Sequence, residues 1–339
     1  MITEQLAEKI LWEPLKEAPD RLIIISGYAT PAALGWFIDS LSKRKIHKIS
    51  IELFLGMTPA EGIKQDIHNG FLELIQNSRK GEARQVINRL DCSYFLKTAD
   101  ALNGAVYIWL KDNVPVKAFQ GSANFMLSTF IDKKYINLMN EVNPMDAYEF
   151  YEKCISNSIY CNHGEAEEQV TIINSHWFFD HEEKRLVDKT NSSVERCTLS
   201  LLQSRKNEIG AKSSLNWGQR LEENRNPNEA YIPIHKKAHA KDFFPAHEYF
   251  FALTDDGYSL LLRVEQATNK AVTTPLSNAQ LGEYFRRRLG LANGAFVTTE
   301  DLKRYGRTTV TFYKIDEEQY YMDFSPETAE EDNTQIELF

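Results

Sequence analysis

Residues 102–124 read LNGAVYIWLKDNVPVKAFQGSAN. Ala105 to Leu110 is an apolar β-run, Lys111-Asp112-Asn113 a polar turn, and Val116 to Phe119 a second β-run. Two such runs around a turn holding Asp and Asn predict a hairpin. The second run ends in Gly121-Ser122-Ala123-Asn124. Small residues there let the backbone approach a ligand closely. The Ser122 hydroxyl and the Asn124 amide can then donate to phosphate oxygens.

Upstream of this hairpin the chain alternates strands and helices. An amphipathic helix is predicted over residues 4–17, ended by Pro19. Arg21 to Ile25, RLIII, is a continuous apolar run and reads as a buried strand. A turn at residues 26–31 leads into a helix over 32–43, and Lys48 to Leu55 reads as the next strand. Thr58-Pro59-Ala60-Glu61 predicts a helix start, with Thr58 as N-cap and Glu61 closing a capping box, and the helix is expected to run to about Ser78. Ser93 to Leu96 is a further strand; after the hairpin come a strand over Ile136 to Glu141 and a helix over Met145 to Ser156. Alternation of this kind predicts an α/β layered domain, a mixed sheet between helices. Gly27, Tyr28 and Thr58 fall in the strand-end loops where sites gather, although turn-making alone accounts for their residue types.

This half resembles the phospholipase D superfamily, in which a strand carries His-x-Lys, a hairpin follows, and the next strand ends in Gly-Ser-x-Asn. Counted back from Gly121, and with Tyr107 matching the aromatic two residues beyond the lysine, the His position falls on Asn103 and the Lys position on Ala105. Glu141 matches the carboxylate the family keeps near its site. The resemblance implies a catalytic set at Asn103, Ala105, Ser122, Asn124 and Glu141, with both residues that do the chemistry replaced. It implies a homodimer with one shared active site, a phosphohistidine intermediate, and no metal or other cofactor.

The 339 residues are enough for two domains, and 42% hydrophobic with 26% charged residues is a globular profile. No apolar run reaches the roughly 18 residues of a membrane span. Residues 1–15 lack the cationic start of a signal peptide, and four cysteines without a C-x-x-C pattern read as reduced thiols, so a cytoplasmic location is expected. Cys161 and His163 lack a second ligand pair, so no metal site is expected. Net charge is −9, which counts against a nucleic-acid binder. Five acids lie after Pro326, however; removing them from −9 leaves −4, and local basic clusters act within a screening length of about 10 Å.

From about Ser193 the pattern changes to short strands: VERCTLSLLQ, AYIPI, YFFALTDD, YSLLLRVEQ, TTVTFYKI and YYMDF. Turns are expected at Asp255-Asp256-Gly257 and at residues 315–318, and helices near Gln280 to Leu289 and Thr299 to Arg304. Short antiparallel strands with few helices predict a small barrel. Two loops concentrate polar recognition chemistry. The first, Ala211 to Arg220, holds Lys212, Ser213, Asn216, Trp217, Gln219 and Arg220; the second runs from Gln266 through Asn269, Lys270 and Asn278 to Arg286, Arg287 and Arg288. Asn and Gln can pair with adenine, Arg with guanine, and Ser or Lys with phosphates. A core anchor (Trp217) and a solvated helix face (Arg286 to Arg288) are the plain alternatives for these residues.

This half resembles the DNA-binding pseudobarrel of auxin-response-type plant transcription factors and the EcoRII effector domain. LNWGQR, EAYIPI, FFP at Phe243 to Pro245, TDDG, LGEYFRRRLG, YGR at Tyr305 to Arg307 and YYMDFS are similar to the NgoFVII/NgoAVII-type restriction endonucleases, which join a BfiI-like phospholipase-D nuclease domain to such a pseudobarrel. The implied organisation is a nuclease and dimerisation domain over 1–170, a linker over 171–190, and a pseudobarrel with an acidic tail over 191–339. The implied partners are double-stranded DNA with a short GC-rich site, a second copy of the chain, and in some relatives a helicase-like subunit. A membrane partner, as for a lipid-acting phospholipase, is disfavoured. An active nuclease harms its host, so deliberate inactivation is the expected origin of the Asn103/Ala105 replacement. The alternatives are a natural pseudoenzyme, or a non-catalytic DNA-binding regulator dimerised by a dead nuclease domain.

Overall fold

The computed structural model describes residues 1–46, 48–79, 83–131, 136–173, 194–204, 206–234, 243–245, 249–265 and 270–326. The chain divides into two compact units, Met1–Thr190 and Asn191–Phe339.

The first unit is built on β1 (Arg21–Ser26), β2 (Ile49–Leu55), β4 (Ile87–Phe95), β5 (Ala105–Lys111), β6 (Val114–Gly121), β7 (Met139–Val142) and β8 (Ser158–Tyr160), in the spatial order β7-β6-β5-β1-β2-β4-β8. The strands β1, β2 and β4 run parallel, and β5 returns antiparallel beside β1. The β5–β6 hairpin closes through Asp112 and Asn113, both with positive φ, the two-residue turn whose twist matches the strands. A small parallel pair joins β3 (Ile63–Lys64) to β9 (Ile172–Ile173), so ordered pairing of this unit continues past residue 170. Alternate residues of the hairpin supply both faces of the sheet. Val106, Ile108 and Leu110 pack with Ile23, Ile25 and the α6 residues (α6, Pro144–Ile155) Ala147, Tyr151 and Cys154. Tyr107 turns to the opposite face, among Phe125 and Phe130, and Phe125 reaches Phe37 of α1 (Pro31–Lys43).

Five expectations are corrected. Residues 4–17 do not form one helix. A π-turn over Ala7–Trp12 gives way at Pro14 to a 3-10 turn that ends on left-handed Ala18, because an interior proline removes the hydrogen bond the helix needs there. The helix expected from Thr58 to Ser78 is two helices, α2 (Thr58–Glu61) and α3 (Gln65–Asn77). The break falls at Gly62, whose φ is +70° and where a Cβ would lie 2.6 Å from Thr171 O. Thr58 is not the N-cap. Its buried hydroxyl donates to the Phe95 carbonyl at 2.8 Å, and Met57 precedes the first turn. The strand expected to begin at Ile136 begins at Met139, and β4 starts six residues before the expected Ser93. Short helices α4 (Ala83–Val86), α5 (Leu127–Phe130) and α7 (Ala166–Gln169) complete the described part.

The second unit is a mainly antiparallel sheet of β10 (Arg196–Ser200), β11 (Ile232–Pro233), β12 (Tyr249–Thr254), β13 (Ser259–Glu265), β14 (Ala271–Thr273), β15 (Thr309–Lys314) and β16 (Gln319–Asp323). Its order is β10-β15-β16-β12-β13-β14-β11, with only the β12–β16 pair parallel. The edge strands β10 and β11 approach each other, so the sheet nearly closes into a barrel. Phe244, Phe250, Phe312 and Tyr320 form its aromatic centre. The turns at residues 255–257 and 315–318 are formed as predicted. The two helices are α8 (Asn278–Arg288) and α9 (Thr299–Tyr305); Thr298 caps α9 in a box with Asp301.

Candidate active site and nucleic-acid interface

The Gly121–Asn124 turn lies at the end of β6, between β5 and β7. Gly121 is there because nothing larger fits: a Cβ would lie 1.9 Å from Leu138 O. Tyr107, fully buried, donates its hydroxyl to Ala123 O at 2.7 Å; burial raises its pKa and keeps it a neutral donor. Ser122 accepts from Leu138 N at 3.0 Å and lies 3.3 Å from Asn137 Oδ1.

Asn124 is oriented from β1. Its Oδ1 accepts from the Tyr28 peptide N–H (3.2 Å) and lies 3.0 Å from Ser26 Oγ, whose one proton also has Tyr28 O within reach at 2.6 Å. A peptide N–H can only donate, so it fixes which end of the amide is the oxygen. The Nδ2 group is left with no partner among the described residues, a donor free for an anion. Ser26 is fully buried, and its Oγ also accepts from Phe125 N at 2.9 Å. Sequence reasoning missed Ser26. Its signal was a polar residue closing the apolar run RLIII.

The two replaced positions adjoin this turn. Ala105 pairs across the sheet with Gly121 on one side and Ser26 on the other. Asn103 is exposed, two residues before. The Gly27 N–H donates to Gly104 O at 2.7 Å, and a Cβ on Gly27 would lie 3.3 Å from Asn103 Cα, so Gly27 brings this segment close. Tyr28 donates its phenol to Glu61 at 2.7 Å, which holds its pKa up. Glu141 is not joined to the turn. It lies on β7 opposite Phe119, 60% exposed, 3.7 Å from Lys117.

In the second unit the first loop is latched from inside. Asn216 is fully buried; its amide donates to Gly210 O and Val297 O (3.2 and 2.7 Å) and accepts from Val297 N (2.9 Å). Arg286, 1% exposed, donates to the carbonyls of Ala295, Gly282, Leu215 and Pro227 at 2.7–3.2 Å. These residues were expected to read bases or to face solvent. Their polar groups are instead committed to loop carbonyls, so both expectations are corrected. Gln219 is committed likewise, to Pro227 O and Gly294 O. Gly218 and Gly282 allow the tight packing: a Cβ would lie 2.1 Å from Asn226 O and 1.8 Å from Asn228 O. Arg288, expected on a solvated face, makes a bidentate pair with Asp255 at 2.8 and 2.6 Å.

What remains outward is a smaller set. Lys212 pairs with Glu222, and Ser213 lies 3.4 Å from Gln203. Trp217 is half-buried, edge-on to Tyr231, with Arg225 stacked 4.3 Å above its ring. Arg220 donates to Lys212 O and pairs with Glu223. The Lys270 ammonium and the Asn278 amide have no partner among the described residues. Arg287, 44% exposed, pairs with Asp256 and stacks on Tyr258. Gln266 and Asn269 lie outside the described residues. Among the described residues no cluster of three His, Cys, Asp or Glu could hold a metal ion, and no helix is long and apolar enough to cross a membrane.

Comparison with known families gives two matches. Residues 4–168 match the NgoFVII restriction endonuclease N-terminal PLD domain, and residues 189–316 match the NgoFVII C-terminal B3-like DNA-binding domain. No curated protein matches the chain. A mixed α/β unit carrying the Gly-Ser-x-Asn turn, followed by a nearly closed β unit, is the architecture these two models describe in the same order. The chain belongs to the NgoFVII restriction endonuclease family, a DNA-binding nuclease family.

Proposed function

We propose that the chain is the scaffold of a type II-like restriction endonuclease. It binds a short, GC-rich duplex site as a homodimer and cleaves DNA poorly or not at all as written. The observation that carries this reading is the Asn124 amide, fixed by Ser26 and Tyr28 with its Nδ2 free, next to the exposed Asn103 and the buried Ala105. Ser122 and Asn124 bind the phosphate, and Glu141, paired with Lys117, acts from the neighbouring strand.

With His at 103 and Lys at 105 the reaction follows without metal. One imidazole attacks phosphorus, forming a P–N bond as the bridging P–O bond breaks. The second, from the other copy of the chain, donates its proton to the leaving oxygen and then activates water to cleave the P–N bond. Lys and Asn124 hold the non-bridging oxygens as charge develops. Asn103 supplies neither nucleophile nor proton, and Ala105 supplies no cation. Each loss of a transition-state donor is worth about 2.7–4 kcal/mol, so the pair lowers the rate by about 10⁴-fold or more. A non-catalytic DNA-binding protein dimerised through the dead nuclease unit is the second reading, and the same two residues favour it.

The DNA-contact set is Lys212, Ser213, Trp217, Arg220, Lys270, Asn278 and Arg287, carried on a latch of Asn216, Gln219 and Arg286. The test is plasmid cleavage in chelator by the double variant Asn103→His, Ala105→Lys beside the chain as written. Cleavage by the variant alone supports the nuclease reading. Intact plasmid with both, at concentrations where both bind duplex DNA, refutes it in favour of the non-catalytic one. A helicase-like partner enters only if cutting then appears on adding such a subunit with ATP.

A further inference from the structure

We propose that the first unit carries a second phosphate-ester site at the start of β4, at the end of the sheet opposite the Gly121–Asn124 turn. A cavity of about 650 Å³ there is lined by Ser78, Arg79, Arg84, Asn88, Arg89 and Asp91, with Ile87 and Leu90. Arg79 follows the C-terminus of α3, Arg84 lies on α4, and Arg89 is on β4, so three separate stretches bring arginines to the lining of one recess.

Several other described arginines are consumed by the fold. Arg21 pairs with Glu52, Arg288 with Asp255 and Arg307 with Asp323. Arg79 and Arg84 differ: neither has a hydrogen-bond or ion-pair partner among the described residues. The one carboxylate in the wall, Asp91, argues against an anion, but it is already matched. Its Oδ2 meets Arg89 Nε as an ion pair, without the geometry of a hydrogen bond. Three arginines against one aspartate leave the lining with an excess of two positive charges.

The backbone adds donors. β8 and the Cys161 peptide after it cover β4 from Cys92 to Phe95, so, among the described residues, 87–91 are an open strand edge on the side away from β2. Unclaimed peptide N–H groups lie along such an edge. Guanidinium groups bind phosphate oxygens bidentately, and a recess of this volume suits a small ligand with an apolar part, which Ile87 and Leu90 would meet. A phosphate ester satisfies all of these features. It can come from a free nucleotide or from a DNA backbone laid across the mouth.

The experiment uses the full chain at low salt, with calorimetric titration of inorganic pyrophosphate, of dAMP and of a non-cognate 12-base-pair duplex. Three proteins are compared: the chain as written, Arg79→Gln/Arg84→Gln, and Asn124→Ala as a control for the other anion site. We expect pyrophosphate affinity to fall at least tenfold in the arginine variant and to persist in Asn124→Ala. A parallel tenfold loss for dAMP with duplex binding unchanged assigns the site to free nucleotides. A parallel loss for the duplex assigns it to the DNA backbone. Both positions are exposed, and an unchanged melting temperature verifies the fold; a Lys/Lys variant at the same positions should recover most of the affinity. Equal affinity of the arginine variant and the chain as written for all three probes, or no binding of any of them that depends on these residues, overturns the proposal.

Discussion

Replacing Arg286 by Met should destabilise the pseudobarrel unit rather than change which base it prefers. Arg286 is 1% exposed, and its guanidinium ties α8 to the carbonyls of Leu215, Pro227 and Ala295. The fourth bond, to Gly282 O, is within its own helix. Methionine fills much of the same volume but leaves three tertiary carbonyls without a donor, at about 1 kcal/mol each where water can partly reach the loop. Against this, burial lowers the Arg286 pKa, so removing the charge relieves some desolvation. A net loss of about 2 kcal/mol corresponds to about 4–8 °C in melting temperature for a unit of this size. Calorimetric scans of the full chain would show the shift in one transition. Duplex affinity should fall uniformly across site variants, because the whole loop from Ala211 to Arg220 loosens. An unchanged melting temperature together with altered preference at a single base pair would refute this reasoning and return Arg286 to the base-reading set.

Arg220, half-exposed on the same loop, should behave in the opposite way: Arg220→Ala is expected to lose about 1–3 kcal/mol of duplex affinity and to relax selection at one position, with no change in melting temperature; a selection experiment on randomised duplexes checks it. Acid should unfold the second unit. Burial works against the Asp323 carboxylate, yet Arg307 and Ser325 hold its pKa below the ordinary value, and Asp256 is held down against its own burial by Thr254, Arg287 and Arg288. A depressed carboxylate gives stability that is complete above the unfolded pKa of about 3.9 and is lost as pH falls through the folded value. Urea midpoints should therefore be flat above about pH 5 and fall below about pH 4, and Asp323→Asn should flatten that fall.

The hairpin and the phosphate turn were legible because their signals are local. Asp112-Asn113 supplies the positive-φ pair that a two-residue turn requires, and only glycine fits at 121. The Thr58 helix was misread because its stop is not local: Gly62 bends to meet Thr171, more than a hundred residues away. Pro14 was a local signal given too little weight beside the apolar spacing of residues 4–17. The pseudobarrel loops failed for a different reason. The same donors that read base edges also satisfy buried carbonyls, and residue type does not separate the two jobs. For Arg286 a positional signal was present. Gly282, Phe285, Arg286 and Leu289 follow the i, i+3, i+4, i+7 spacing of a buried helical stripe, which places Arg286 inward. For Asn216, in a kinked 3-10 turn, no such periodicity exists.

The candidate active site also explains how its frame keeps its form without the chemical pair. The turn is held by Tyr107 on Ala123, by Ser26 and Tyr28 on Asn124, and by Leu138 on Ser122. None of these contacts uses residue 103 or 105. The geometry of phosphate binding is thus set by groups separate from those that would break the bond. The separation makes reversal feasible. Across the sheet from Ala105 stand Gly121 and Ser26, two of the smallest side chains, so a longer stem at 105 meets little on either neighbouring strand. Asn103 is already exposed and tolerates an imidazole without repacking. Asn103→His should therefore leave the stability of the first unit within a few tenths of a kcal/mol, as for surface changes, whereas Ala105→Lys places a longer charged side chain at a position only 2% exposed and should cost about 1–3 kcal/mol. A larger destabilisation on introducing Lys at 105 would mean that the end of the sheet had closed over the vacated position, and the chain would then be adapted to life without a catalytic pair.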